Sequence, residues 1–496
     1  ARPVAESFIN LARITQSEID KFGGAQNPIY FAKPNSGLEN RPPYLLQPQT
    51  NGADAVVSNI RADQVIEFWL GGMTPRALEG GDINSVFEVL DSSGNVAGEI
   101  AQEGRTGLLG YGKSQPAGLN VQPGMLMREL IRAIPQDIGV RVGLHESLGE
   151  EAGAARQFLE SVNRVSVVDV NGSTDADYLL GRFDGAAQTE AQQQGIDGMA
   201  DVQAIEANGV GLFTNGLEPI PSTFGSQYES VAIALEQRLT TRLRLLAAKK
   251  ALKTILSTDS SDLSVEVAVS SNQRGGITAI QSQSLNDAGQ ALAQVAQMRI
   301  GEEMSIQITS QEPNRPLYVA VIAIERDGDM YVYHPSYWDA AEADAILEPG
   351  ESVTIPKADD QFYLPIQGPA GYFEVLVIAS SVQLRDTLRS LQRLSDRGPA
   401  GRGQLLLFTE EAERSRGEDD SALSIVGDIL GDFDRNASAA PASRQQRNVN
   451  TTQLAAIPIT IEVSEANMST AGSSCSERTN DGKVAPYTSI ALKRCL

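Results

Sequence analysis

Histidine and cysteine are nearly missing from these 496 residues. His145 and His334 are the two histidines, and Cys475 and Cys495 are the two cysteines. Histidine is the commonest general base and metal ligand, and cysteine the commonest soft ligand, so a His/Cys zinc site is all but excluded. A Ser–His or Cys–His catalytic pair would have to draw on one of two histidines. Basic residues are also in deficit: 40 Lys and Arg against 63 Asp and Glu leave a formal charge of −23. Nucleic acid and anionic membranes need a basic face, so neither is expected as the main partner. No apolar run reaches the roughly 18 residues of a transmembrane helix, and no signal-peptide pattern is visible. Aromatic residues make up 5% and hydrophobic ones 41%. That is enough to bury real cores in a chain that is partly loop-rich.

What is present suggests several folded units, at about 100–200 residues per domain. Residues 3–22 place Val4, Phe8, Leu11, Thr15, Ile19 and Phe22 on one helical face, stopped by Gly23-Gly24. Asn27–Phe31 reads as a short strand, and residues 33–52 as a linker. From 53 to 183 an α/β alternation is expected: strands at Ala55–Leu70 and Ser85–Leu90, a helix at Met125–Ile134 ended by Pro135, a strand at Val140–Leu144, a helix at Glu150–Val162, and strands at Val165–Val170 and Asp177–Phe183. The Gln/Gly-rich stretch 184–227 reads as a long loop or insertion. Residues 228–297 hold the longest helix, 228–256, a strand at Leu263–Val269 and a helix at Ala288–Ala296. The basic second half of the long helix reads as a solvated face, with pairing to acidic stretches as a further role. Residues 298–395 are β-rich, with a tight turn at Asp327-Gly328 and a closing helix at Leu384–Leu394. Residues 396–450 form an acidic, low-complexity linker. In 451–496, Leu454–Val463 is a strand that Pro458 should confine to a sheet edge, followed by a Ser/Thr-rich cysteine tail.

Five features invite chemistry. Gly107–Ser114 fits the phosphate-loop pattern GxxxxGK[ST], with Gly107, Gly112, Lys113 and Ser114 as its elements. The mechanism needs a helix starting at the lysine, and Pro116 and Gly118 forbid one, so the stretch reads as a flexible Gly-rich loop. Its Arg105 and Lys113 are then candidate processing sites for an Arg- or Lys-directed protease. His145, beside Glu146 and Ser147, sits at a strand end but forms no recognised nucleophile elbow, and a surface or capping role fits better. His334 ends another strand, with Tyr337 and Trp338 nearby. This group reads as the packed edge of a β-sandwich, with a binding cleft as the alternative. The acidic run Glu410, Glu411, Glu413, Glu418, Asp419 and Asp420, and the set Asp428, Asp432 and Asp434, lack the calcium-loop spacing, so they read as a solvated helix face or flexible tail, with calcium as the alternative and no other cofactor expected. Cys475 and Cys495 either close a disulfide in an oxidising compartment or stay as free thiols.

The order of segments resembles a known family. The helix, the Gly-Gly stop and the strand Gln26–Phe31 look like the last helix and strand of a caspase-like fold, as in bacterial, largely cyanobacterial, proteins of the metacaspase/orthocaspase group. Gln64–Gly72, Leu126–Pro135 with Ile138–Val140, Asp175–Gly181 and the long helix continue the likeness. Residues 298–395 resemble a domain of unknown function that often closes those proteins, through Pro316–Val319, Leu347–Glu351 and Gly371–Glu374. The resemblance implies a remnant of a caspase-like α/β sheet in residues 1–48, a mixed α/β middle and a β-sandwich-like end. The family's His/Cys dyad has no counterpart here, so no catalytic residue carries over. The chain is then expected to be the non-catalytic C-terminal part of a caspase-like cysteine peptidase, inactive alone, with Ala1 as a processing boundary. Its expected partners are the catalytic chain of the same precursor or copies of itself. A secreted or self-assembling structural protein is the alternative, and a nucleotide-binding protein a weaker one. Cytoplasmic and exported locations stay equally open.

Overall fold

The computed structural model describes residues 53–464 except 74, 82, 170–175, 194–199, 257–260, 273–275, 284–294, 326–327, 336–344, 359, 361, 368–370, 385, 388, 391–405, 409–413, 415–420 and 438–445. The expected helix and strand of residues 3–31 and the cysteine tail lie outside these residues. The fold is mixed α/β with large β-rich parts.

The first module is a closed barrel. Strands β1 (Ala55–Ile60), β2 (Ile66–Trp69), β3 (Val86–Leu90), β4 (Val96–Thr106), β5 (Leu109–Gln115) and β6 (Leu126–Pro135) follow the order β1-β2-β5-β4-β3-β6. Pairing of Ala55 with Met127 and of Val56 with Leu126 closes the ring. Ala55, Val57, Ile66, Phe68, Phe87, Val89, Ile100 and Met127 fill the interior, at the alternate positions that a strand points to one face. The short helix α1 (Pro75–Gly80) lies between β2 and β3. Two expectations change here. Ala55–Leu70 is a hairpin, not one strand, and turns through Gln64 at φ 64°. Met125–Ile134 is strand β6, not a helix. Its Met, Leu, Arg and Glu are good helix formers, but ladders to β1 and β3 override that weak local preference.

The second module is a four-stranded sheet of order β10-β9-β7-β8, made of β7 (Val140–Leu144), β8 (Val165–Val168), β9 (Tyr178–Arg182) and β10 (Val210–Thr214). β7 is parallel to both neighbours, and α2 (Ala152–Leu159) forms its crossover to β8. The stretch 184–227 is not a structureless insertion. It holds α3 (Gly185–Gln193), α4 (Ala200–Gln203) and β10, whose Val210 and Leu212 are fully buried.

The third module is a sandwich. One sheet runs β12-β11-β14-β18, from β11 (Val265–Ser271), β12 (Gly276–Gln283), β14 (Glu303–Ser310) and β18 (Ser352–Ile355), with β19 (Leu364–Pro365) beside β14. The facing sheet runs β13-β23-β20-β15-β16-β21, from β13 (Val295–Arg299), β15 (Leu317–Ile324), β16 (Met330–His334), β20 (Gly371–Ser380), β21 (Leu406–Phe408) and β23 (Leu454–Ser464), with β17 (Ile346–Leu347) beside β15. Val267, Val269, Ile306 and Ile308 meet Val319, Val321, Val375, Val377, Ile459 and Ile461 between the layers. The end of the expected helix Ala288–Ala296 is strand β13. Pro458 does not keep β23 at the edge, because β23 lies between β13 and β20. Among the described residues the ladder to β13 begins at Thr460, two residues after Pro458. Of the expected closing helix Leu384–Leu394, Leu384 is irregular, Asp386, Thr387, Arg389 and Ser390 are helical, and the others are not among the described residues.

One helix joins the three modules. Val231–Ala234 (α5) is capped by the Ser230 hydroxyl, passes through a π turn at Leu235–Leu239 and continues as α6 (Thr240–Leu256). Leu243, Leu246 and Ala247 face the mixed sheet. Leu245, Leu252 and Ile255 face Ile322, Val332 and Ile378 on the outer side of the sandwich, together with α7 (Ala422–Asn436). Buried residues lie on opposite sides of the helix, Arg242, Lys249 and Lys253 among them. The basic half of this helix is therefore not a solvated face. Arg242 pairs with Asp329 at 2.6 Å and Lys253 with Glu374 at 3.0 Å, all four side chains being buried. Lys249 donates to the Glu325 carbonyl and Lys250 to Asp177. The β15–β16 turn rests on the helix at Gly328, where φ is +97° and a Cβ would sit 3.0 Å from the Leu246 side chain. Strand β22 (Gln446–Asn450), in the expected linker, extends the barrel sheet beside β6, so the chain returns to its first module before β23.

Candidate functional site

His334 occupies the most distinctive environment. β16 pairs with β15 through a bulge: Val332 faces Ile322, but His334 faces Val321, leaving Tyr333 as the extra residue. A bulge of this kind re-aims the side chain after it. Without it, alternation would put His334 on the outer face with Met330 and Val332. With it, His334 joins Val321 on the inner side. There it lines a cleft of about 210 Å³ at the edge of the sandwich, with Val319, Leu347, Glu351, Ser352, Val353 and Lys357 among the lining residues. His334 is 2% exposed. The rim is fixed by hydrogen bonds: a Glu351 carboxylate oxygen accepts from the Glu348 N–H at 2.9 Å, the Ser352 and Thr309 hydroxyls share a 2.8 Å bond, and the Lys357 N–H donates to Asp360. Burial, and then the nearby Glu325, push the Tyr333 hydroxyl above its ordinary pKa. Both readings of His334, packed edge and cleft, describe parts of this arrangement. Tyr337 and Trp338 lie outside the described residues.

His145 ends β7, where β8 and β9 diverge to either side, a topological position that often holds ligands. Its side chain is used locally. Nδ1 caps the turn Glu146–Glu151 by accepting the Ser147 N–H and lies 2.9 Å from the Ser147 hydroxyl. That hydroxyl accepts the Arg182 N–H at 2.9 Å. Gly181 permits this packing, since a Cβ there would lie 3.0 Å from both His145 and Ser147. Burial pushes the Glu151 carboxyl up, but the Arg182 guanidinium and the Val231 N–H outweigh it and hold the carboxyl below the usual range. The cluster ties the β7 loop to the start of the long helix, as a capping histidine would.

Gly107–Ser114 is neither a phosphate loop nor a flexible loop. It is the tip and second strand of the β4–β5 hairpin, and no helix follows it. The glycines serve the barrel: a Cβ at Gly110 would come 2.3 Å from the Phe68 ring, and one at Gly112 would come 2.0 Å from the Ala101 carbonyl. Ser114 pairs with Ile100 in the ladder. Lys113 reaches across to Glu103 at 2.8 Å, and this exposed hydrogen bond raises the lysine pKa. Arg105 donates to the Gly107 and Leu78 carbonyls. As processing sites, Arg105 and Lys113 lie in paired strands that a protease would first have to open. Ala1, Cys475, Cys495 and the run from Glu410 to Asp420 fall outside the described residues.

Asp428, Asp432 and Asp434 are not a solvated face or flexible tail, because they anchor α7 to its neighbours. Asp432 accepts the Asp386 and Thr387 N–H groups and pairs with Arg435; Asp428 takes the Ser390 hydroxyl, and Asp434 takes Arg447 and the Asn448 N–H. Among the described residues no three His, Cys, Asp or Glu side chains gather as a metal site, and no helix is long and apolar enough to cross a membrane.

Sequence reasoning missed one surface feature. Trp69 is 41% exposed, and its ring covers Gly71, where a Cβ would fall 2.0 Å from a ring carbon. Leu109 is its partner in β5 and Val56 its partner in β1, and the Leu108 carbonyl accepts the Leu70 N–H. Leu108 and Leu109 are also exposed. The signal was a tryptophan on the outward parity of β2, legible only once Ala55–Leu70 is divided at its turn.

Residues 297–383 match a family model described as "Domain of unknown function (DUF4384)". The segment spans β14 to β20 and contains every residue quoted above for the His334 cleft. No curated protein and no solved structure matches the chain.

Proposed function

We propose that this chain is a non-catalytic recognition scaffold of a caspase-like cysteine peptidase, and that it meets its protein partner at the exposed end of the barrel. One observation carries the reading: Trp69, Leu108 and Leu109 together expose an apolar patch at the β4–β5 hairpin and the end of β2. An exposed tryptophan with aliphatic neighbours is the composition of an interface hot spot. Lys113 and Arg105 lie on the same hairpin, with Lys113 paired to Glu103, so a polar rim surrounds the apolar patch. The caspase-like assignment itself rests on the sequence resemblance.

The test has two arms. The purified chain alone should turn over no Arg- or Lys-directed peptide substrate, and turnover would sink the non-catalytic reading. The peptidase portion of the same precursor, made separately, should bind the wild-type chain and bind the Trp69→Ser/Leu109→Ser variant at least tenfold more weakly. The self-assembly reading uses the same patch between two copies. Light scattering would then report a dimer in the wild type that the double variant abolishes, with no peptidase portion present.

A further inference from the structure

The mixed sheet treats its two edges differently. At β10 the chain covers its own edge. The Val210 carbonyl accepts the Gly225 N–H, the Leu212 N–H donates to the Thr223 hydroxyl at 2.8 Å, the Leu212 carbonyl accepts the Ile220 N–H, and the Thr214 N–H donates to the Glu218 carbonyl. At the other edge β8 bonds to β7 on one side, and among the described residues no strand bonds to it on the other. An edge strand turns alternate N–H and C=O groups outward, and proteins often blunt it with Lys or Pro. Val165-Ser166-Val167-Val168 carries neither. We propose that β8 pairs antiparallel with β8 of a second copy across a two-fold axis, joining the two mixed sheets into one. The strand is self-complementary in one register. Opposed residues of antiparallel strands share a face, so the axis must set one residue opposite its own copy. Val165 and Val167 pack against the core beneath α2, Val168 packs against the core on the opposite face, and Ser166 is exposed. With Ser166 on the axis, Val165 meets the partner's Val167 on the α2 face, and two serine hydroxyls meet on the other. An axis at Val167 would instead set Val165 against a carboxylate, that of Asp169. The ends match as well. Arg164, in the field of Asp137, precedes the strand, and Asp169, paired with Arg156 at 2.7 Å, follows it. Antiparallel pairing brings these two charge-balanced ends together, whereas a parallel copy would set like ends side by side. In a chain of charge −23, two copies can therefore approach at this edge without net repulsion between the strand ends. A four-residue edge makes a small interface, so the dimer should be concentration-dependent. The inference is independent of the barrel surface and of the peptidase resemblance.

The test uses the full chain at rising concentration. Light scattering should show the wild type passing from monomer to dimer. Ser166→Lys sets two ammonium groups opposite each other at an exposed position, and it should weaken dimerisation at least tenfold with the melting temperature unchanged. Trp69→Ser/Leu109→Ser should dimerise as the wild type does, which separates this edge from the barrel patch. In a Cys475→Ser/Cys495→Ser background, mild oxidation should link Ser166→Cys into a disulfide dimer at least tenfold faster than Asp169→Cys. The two copies of position 169 lie about 20 Å apart in this register, at the rise of an extended strand. A wild type that stays monomeric up to millimolar concentration would overturn the proposal and leave the edge to an extended segment of another protein. So would equal linking by the two cysteine variants, a dimer that Ser166→Lys leaves intact, or one that Trp69→Ser/Leu109→Ser abolishes.

Discussion

At the residue scale the chain buries charge, and each such charge is tied to a partner. Arg242 and Asp329 are 5% and 1% exposed, and they join the long helix to the β15–β16 turn. Breaking a buried pair from one side leaves the other charge unsolvated, so Arg242→Met should cost about 3–5 kcal/mol in urea unfolding. Arg242→Met with Asp329→Leu should recover much of that loss. A cost for the single variant near zero would mean that the pair is solvated. Tyr333 gives a pH signature. Its hydroxyl is pushed above the ordinary value by burial and by Glu325. The unfolded chain ionises this group near pH 10 and the folded chain does not, so its contribution is fully present below about pH 10 and is lost as pH rises further. Tyr333→Phe should flatten the alkaline limb of stability against pH, and an unchanged limb would contradict the burial argument.

At the element scale the sequence was legible wherever periodicity and pairing agreed. The strands at Val140–Leu144, Tyr178–Arg182, Leu317–Ile324 and Met330–His334, and the long helix, follow from their apolar runs. The misreadings have specific physical causes. Met125–Ile134 is built of helix formers whose fate was decided by β1 and β3, far away in sequence. Gly107–Ser114 carries a motif whose glycines answer to Phe68 and the Ala101 carbonyl. The basic helix face was assigned to water because Asp329 and Glu374 lie 87 and 121 residues further on. The cleft was hidden for a similar reason: a one-residue bulge reverses the face of His334, and no alternation rule predicts where a bulge falls. The hairpin reading makes its own prediction. Gly110→Ala should destabilise the barrel by about 1–3 kcal/mol through overpacking on Phe68. Lys113→Ala, at an exposed cross-strand contact, should leave the melting temperature unchanged. Calorimetry with nucleotide should give the same null signal for wild type and Lys113→Ala, and binding that Lys113→Ala abolishes would restore the phosphate-loop reading.

At the scale of the whole molecule, three β-rich modules share one buried helix and exchange strands across the sequence. β22 returns to the barrel, and the next strand, β23, completes the sandwich. Arg128 of the barrel reaches Glu88 within it and Asp262 at the entrance to the sandwich, so the modules are also pinned by charge. Such a body should open as one unit. Leu246→Ala, beneath both the mixed sheet and the Gly328 turn, should cost about 2–5 kcal/mol. Hydrogen exchange should then show protection falling together in the mixed sheet and the sandwich; loss confined to one module would mean that the helix does not couple them. A rigid body of this kind suits recognition, because a preorganised surface loses little entropy on binding. The central claim is that the barrel end around Trp69 is the partner surface. Its most direct test is the affinity of the full chain for the peptidase portion that the proposed function calls for, made separately and measured against the wild type and Trp69→Ser/Leu109→Ser. Saturable wild-type binding that weakens at least tenfold in the variant is predicted. No binding, or equal binding by both, would contradict the claim.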